Sequence, residues 1–359
     1  MIPRTTVDLG NEERNAIERV LSSGQYVKGQ EAELLEEEFA QYQQVEFAAT
    51  VNSGTSALHL SLLALNIKNG DEVIIPPNTF AATVNAIIFT GAKPIFVDIN
   101  PNTFLIDSTK LEKKINMNTK AIIPVHLYGL MCEMEKIQSI AQKNNIYIIE
   151  DACQAHGAAC KGKKAGVQGD LAAFSFFPTK NTTVGGDGGI VISNNEELIL
   201  KIKALRDHGR INGQHVMPGL NNRLSEILAA IGRSHLKKLD KYNQNRRDLA
   251  SCYEEKLRNL FHIELPTEPP NFKHVYHLYT IKAEKRDELQ KYLKKNNIGS
   301  SVMYKEKLNE LNYIKEVAGY QKMPINDEIS EKILSIPISG TYSKDKIRFV
   351  CEKIIEFYS

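Results

Sequence analysis

The sequence predicts an α/β protein, with a large, mostly parallel sheet domain clad in helices on both faces and a smaller α+β domain behind it. Three observations predict this. From residue 47, short apolar runs rich in β-branched residues alternate with longer amphipathic runs. Such alternation implies crossover connections, which give a parallel sheet buried on both faces. After residue 240 the alternation stops, and 359 residues suit one large and one small domain.

The elements follow in order. Before the sheet the pattern is helical: Ile17, Val20 and Leu21 share a face that ends before Gly24, and Leu34, Leu35 and Phe39 share a second. Strands are expected at 47–51, 72–75, 94–97, 121–125, 146–149, 172–176 and 189–193. Most are separated by a segment long enough for a helix, for example 55–65 and 133–143. The large domain spans 1–240. In the small one, 241–359, strands are expected at 276–281 and 300–303, with a helix at 286–295.

Composition narrows the function. Lysine and arginine number 45 against 43 acidic residues, a net charge of +2. Binding a phosphate backbone calls for a strong basic excess, so nucleic acid is excluded as the main partner. Lys237, Lys238, Lys241, Arg246 and Arg247 form the one local basic run, which at helical spacing reads as a solvated face. The five cysteines are odd in number and form no CxxC pair, which leaves neither a metal-binding pattern nor a disulfide framework. No run is apolar enough to span a membrane, and the N-terminus has no signal-peptide core. The chain reads as cytoplasmic.

In open parallel sheets, ligands sit beyond the carboxyl ends of the strands, so the residues at strand exits bear the argument. After the first strand comes Asn52-Ser53-Gly54-Thr55-Ser56. Hydroxyls and a glycine at a helix start suit a phosphate, and equally suit a plain N-cap by Ser53. Phe80, after the second strand, can stack on a planar ring or pack in the core. Glu150 and Asp151 end a wholly apolar strand, where a carboxylate is costly without a partner. One fitting partner is a pyridine nitrogen that the acid keeps protonated; the alternative is a helix cap. Lys180 follows Ser175 and the 172–176 strand and precedes the glycine-rich 185–189. Burial there lowers an amine's pKa and makes it a usable nucleophile and base, unless the side chain snorkels to the surface. Phosphate cup, aromatic ring, acid and lysine together are the groups that pyridoxal 5′-phosphate (PLP) requires.

The chain also resembles the DegT-type nucleotide-sugar aminotransferases, a family of fold-type I PLP enzymes. The stretches that carry the resemblance are SGTSALHLSLLAL, PPNTFAAT, FVDINPNTFLID, PVHLYG, EDACQAHGA, FSFFPTKN with GGDGG, LRDHG and GLNNR. The resemblance implies that Lys180 carries PLP covalently and that Asp151 pairs with the ring nitrogen. It further implies that Gln154 contacts the ring's phenolic oxygen, Phe80 stacks on the ring, and Thr55, Ser56 and Ser175 hold the phosphate. Asn221, or its neighbour Asn222, would reach the phosphate from the partner subunit, which implies a homodimer with shared active sites. The substrates implied are an amino-acid donor, glutamate by family habit, and a keto sugar linked to a nucleotide. The product would be an amino sugar for glycan or antigen biosynthesis.

Two stretches depart from the family pattern: Asn181-Thr182-Thr183-Val184 after the lysine, and Ser335-Ile336-Pro337-Ile338-Ser339-Gly340, which lacks a later proline. Both bear on which sugar binds. Competing readings are a PLP lyase or dehydratase-like enzyme on the same scaffold, and a non-catalytic PLP-binding sensor. Lys180, where dehydrating relatives carry histidine, argues against the dehydratase branch. The chain shows no helix-turn-helix signal for a DNA-reading sensor.

Overall fold

The computed structural model describes all residues, 1–359. Seven strands form the central sheet: β1 (Phe47–Val51), β2 (Glu72–Ile75), β3 (Lys93–Phe96), β4 (Thr119–Ile122), β5 (Tyr147–Asp151), β6 (Leu171–Ser175) and β7 (Gly189–Ser193). Their spatial order is β1-β7-β6-β5-β4-β2-β3. β7 runs antiparallel to both its neighbours, and the other pairings are parallel.

The apolar strands are buried on both faces, and their side chains divide by period two. Ile74, Ile148, Ala172, Phe174, Ile190 and Ile192 join one hydrophobic cluster with Leu35 and Phe39 from the helix Gln30–Gln43. Val73, Ile75, Ile149, Leu171, Ala173 and Val191 join a second, with Leu58 and Leu62 from the helix Gly54–Ala64.

The C-terminal region has a core of its own. Strands β8 (Ile263–Glu264), β9 (Tyr279–Ala283) and β10 (Ile333–Ile336) form an antiparallel sheet. Tyr253, Tyr279, Ile281, Leu289, Ile336 and Val350 pack together, drawn from that sheet and from the helices Leu239–Leu257, Arg286–Lys295 and Lys344–Tyr358. The chain's first residues lie against this region. Ile2 N–H donates to Asn297 O at 2.8 Å, Gly299 N–H to Ile2 O at 2.7 Å, and Ile338 N–H to Arg4 O at 2.9 Å.

Several expectations need correction. The fourth strand ends at Ile122 rather than 125: Pro124 has no N–H to give, and pairing resumes beyond it only as a single bridge from Val125 to Asp151. Residues 300–303 form no strand: only Ser301 pairs, with Ser335, and the third strand of that sheet is β10. Leu21 is exposed, while Ala16 and Val20 are the residues buried against Ala230. The basic run is an open face only at Lys237 and Lys241, which are exposed. Arg246 is buried and donates to backbone carbonyls, Lys238 pairs with Glu13, and Arg247 pairs with Glu268. No helix is long and apolar enough to cross a membrane.

Candidate active site

A cavity of about 320 Å³ opens beyond the carboxyl ends of β5 and β6, beside the start of the helix Gly54–Ala64. The two acids that end β5 separate here, because neighbouring side chains on a strand point to opposite faces. Asp151 lines the cavity. Its Oδ2 accepts a hydrogen bond from Thr83 Oγ1 at 2.8 Å, and its Oδ1 accepts one from Cys153 N–H at 3.2 Å. Thr83 is in turn 2.9 Å from Thr79, hydroxyl to hydroxyl. Glu150 has a structural task. It is fully buried, lies 2.6 Å from His126 Nε2, and accepts from the backbone N–H groups of Gly166, Gln168 and Gly169. The acid facing the cavity is therefore Asp151.

The helix start forms the floor. Ser53 caps the helix, its Oγ accepting from Ser56 N–H at 3.1 Å, and Ser56 Oγ donates to Asn52 Oδ1 at 2.6 Å. Ser53, Gly54, Thr55 and Ser175 line the cavity, whereas Ser56 does not. Glycine is required at 54: a Cβ there would meet Ser175 Cβ at 2.8 Å and Cys153 Sγ at 3.0 Å. The helix terminus thus lies tight against the end of β6, with its dipole aimed at the cavity.

Lys180 lines the same cavity, five residues after β6 ends. Burial holds its ammonium below the ordinary lysine value, Cys153 and Asp151 act the other way, and Arg4 adds to the lowering. The neighbouring Asn181 fixes the turn, its Nδ2 donating to Asn243 Oδ1 at 2.8 Å and to Val275 O at 3.1 Å.

The opposite wall comes from distant parts of the chain: Arg4, His277, Met303 and Tyr304. Tyr304 Oη accepts from Gln154 Nε2 at 2.6 Å, while Gln154 Oε1 accepts from Tyr128 N–H. The Tyr304 ring lies parallel to that of Tyr128 and 6.3 Å from that of Phe80. Burial pushes the His277 imidazole well below its ordinary value, and the positive charges of Lys180, Arg246 and Arg4 add to this.

Of the residues expected from the sequence, Thr55, Phe80, Asp151, Gln154, Ser175 and Lys180 meet in one cavity. Phe80 is 61% exposed, so it is not a core residue. Asn221 lies elsewhere on the surface, bridged to Asp207, and Asn222 accepts from Asn52 N–H. Sequence reasoning missed Thr83, Arg4, His277 and Tyr304. Thr79 and Thr83, four residues apart at a helix start, carried a readable signal; the other three sit far from any motif.

These residues fit PLP. Asp151 is buried and takes hydrogen bonds from only a hydroxyl and one backbone N–H, which leaves it able to hold a protonated ring nitrogen. Gly54 lets the helix N-terminus pack against β6 and line the cavity, a place that suits a phosphate, and Lys180 supplies an amine of lowered basicity.

Fold and cavity together define a fold-type I aminotransferase. The chain belongs to the DegT/DnrJ/EryC1/StrS aminotransferase family, whose sequence model matches residues 7–355. It is 40% identical over 344 residues to the dTDP-3-amino-3,6-dideoxy-alpha-D-galactopyranose transaminase of Aneurinibacillus thermoaerophilus, covering 96% of this chain and 94% of that one. It is also 40% identical over 349 residues to a protein of Geobacillus stearothermophilus named a pleiotropic regulatory protein, covering 95% and 93%. Among solved structures, Streptomyces venezuelae DesV in complex with a ketimine intermediate superposes with a TM-score of 0.96 at 36% identity, covering 100% of this chain and 98% of that one.

Proposed function

We propose that the chain is a PLP-dependent aminotransferase that moves the amino group of an amino acid, glutamate, onto the keto group of a nucleotide-linked sugar. The observation that carries this is the placement of Lys180 and Asp151 in one cavity beside a capped helix start. Names of relatives support the sugar class, and the lowered basicity of Lys180 supports its role.

PLP, when bound, supplies an electron sink conjugated to the reacting carbon. Asp151 holds a proton on the ring nitrogen, and Thr83 steadies the carboxylate. Lys180 would hold the cofactor through its amine and, when that amine is free, its Nζ would take the proton from the donor's α-carbon and, in the half-reaction with the keto sugar, return one to the sugar carbon that becomes aminated. Thr55, Ser175 and the backbone at Gly54 hold the phosphate, Phe80 covers the ring, and Gln154 contacts its phenolic oxygen. Ser56 supports the helix start, its N–H capped by Ser53 and its hydroxyl engaged by Asn52.

The reading extends to a two-domain chain divided near residue 240 and to a homodimer working in the cytoplasm. In the dimer, Asn221 reaches the partner's site, which accords with its surface position away from its own cavity. The name of the Geobacillus relative favours a second reading, a PLP-binding regulator, in which Lys180 and Asp151 would hold PLP without turnover. A screen of nucleotide-linked keto sugars with glutamate, read as 2-oxoglutarate formed, separates the two. Turnover of at least one sugar is expected, and PLP binding without turnover of any would favour the regulator.

A further inference from the structure

The wall facing Lys180 carries the positive charge of Arg4, and the acids of the cavity, Asp151 and Asp187, both lie in the strand-exit and glycine-rich segments of the sheet domain, with no hydrogen bond or ion pair to Arg4. Arg4 lines the cavity from the chain's N-terminal segment. That segment is firmly fixed: Ile338 N–H donates to Arg4 O, Tyr342 Oη donates to Pro3 O at 2.6 Å, and Thr6 Oγ1 lies 2.9 Å from Ser339 Oγ. Arg4 Nη1 is out of the solvent's reach and has no hydrogen-bond partner. The ionisable groups around it are basic or phenolic: Lys180, Arg246, His277, Tyr304 and Tyr342. Arg246 is already committed to the carbonyls of Tyr276, His277 and Ile338. The acid nearest the chemistry, Asp151, is held by Thr83. Arg4 is half-buried, and a guanidinium nitrogen removed from water without a partner is costly, while its planar fork matches a carboxylate.

We infer that Arg4 is the receptor for the α-carboxylate of the amino donor, holding the donor with its amino group toward Lys180. This rests on the amino-acid half of the function proposed above. Two other anions use the cavity under that proposal. The cofactor phosphate belongs at the helix start of Gly54–Ala64, while Arg4 is anchored to the C-terminal region. The diphosphate of a nucleotide sugar lies several bonds from the keto carbon. An α-carboxylate is bonded directly to the reacting carbon, so its receptor must lie beside Lys180, where Arg4 is close enough for its charge to be felt.

The test uses the full-length, PLP-loaded enzyme and its Arg4→Gln and Arg4→Lys variants, with the two half-reactions followed separately by cofactor absorbance. Arg4→Gln is expected to raise the half-saturating glutamate concentration about 100-fold, as loss of one partner of a buried charge pair does. Arg4→Lys, which keeps the charge and loses the fork, should raise it about tenfold. Saturation of the aminated enzyme by a nucleotide keto sugar should stay as in the wild type. Unchanged glutamate saturation in both variants would overturn the inference. So would keto-sugar saturation weakened as much as glutamate saturation, which would give Arg4 to the diphosphate. If Arg4→Gln does not fold, Arg4→Lys decides alone by the same criteria. Calorimetric binding of maleate, an unreactive dicarboxylate, to wild type and Arg4→Lys keeps this separate from the broader proposal. A wild type that transaminates no sugar yet loses maleate affinity in the variant would fail the function and keep the carboxylate site.

Discussion

The two walls of the cavity differ in how the chain builds them. One is made of strand exits and the turns behind them: Asp151 ends β5, Ser175 ends β6, Lys180 follows it, and Thr55 starts the helix after β1. Each sits where an open parallel sheet places ligand groups, whatever the rest of the chain does. The other wall gathers Arg4, His277, Met303 and Tyr304, from the chain's beginning and from its C-terminal region. Under the proposed function, chemistry falls to the sheet and recognition to segments from the chain's beginning and its C-terminal region. A sheet wall can serve one reaction while the opposing wall is altered for different substrates.

Substitutions test that division, beginning with the largest effect. Lys180→Ala should abolish turnover. Asp151→Asn should lower it on the order of a thousandfold or more, as loss of a correctly placed proton does elsewhere. Asp151→Asn should still bind PLP, because the helix start and Lys180 remain. Steady-state rates together with cofactor absorbance read both, and near-normal turnover in Asp151→Asn would remove the acid from the chemical wall.

How far the sequence reached follows the same division. β1, β2 and β7 were legible to the residue, because their alternation of buried faces is local. The acid, the lysine and the hydroxyls of the sheet wall were legible because topology fixes the place of a strand exit. Strand pattern alone left open which of Glu150 and Asp151 faces the cavity, and only the resemblance pointed to Asp151: His126 and the 166–169 loop capture Glu150. Nor could it show that Asn52 draws the Ser56 hydroxyl away from the cavity. Arg4 and Tyr304 carry no local pattern, since their positions depend on contacts distant in sequence, Pro3 with Tyr342 and Gln154 with Tyr304. The strand expected at 300–303 failed for a related reason: its apolar residues face the cavity and the core beside it, and not a ladder partner.

Thr83→Val comes next in size. It removes a hydroxyl donor to the Asp151 carboxylate without changing side-chain shape. A hydrogen bond to a charged group contributes about 1.5–3 kcal/mol, so a fall in kcat of about tenfold or more is expected. An unchanged kcat would mean that Asp151 holds its place without Thr83.

Tyr304→Phe should have the smallest effect. It deletes one partner of Gln154 on the recognition wall and leaves the parallel ring contact with Tyr128 intact. The expected cost is about 1 kcal/mol, seen as about a fivefold change in KM with kcat nearly kept. A loss of kcat as large as that of Asp151→Asn would break the division between the walls, because Tyr304 would then belong to the chemistry.

The most direct test of the central claim is to reduce the PLP-loaded protein with borohydride and map the modified peptide. The pyridoxyl group is expected on Lys180 alone, in the peptide containing Phe177-Pro178-Thr179-Lys180-Asn181. Modification of another lysine, or none after full loading with PLP, would contradict it.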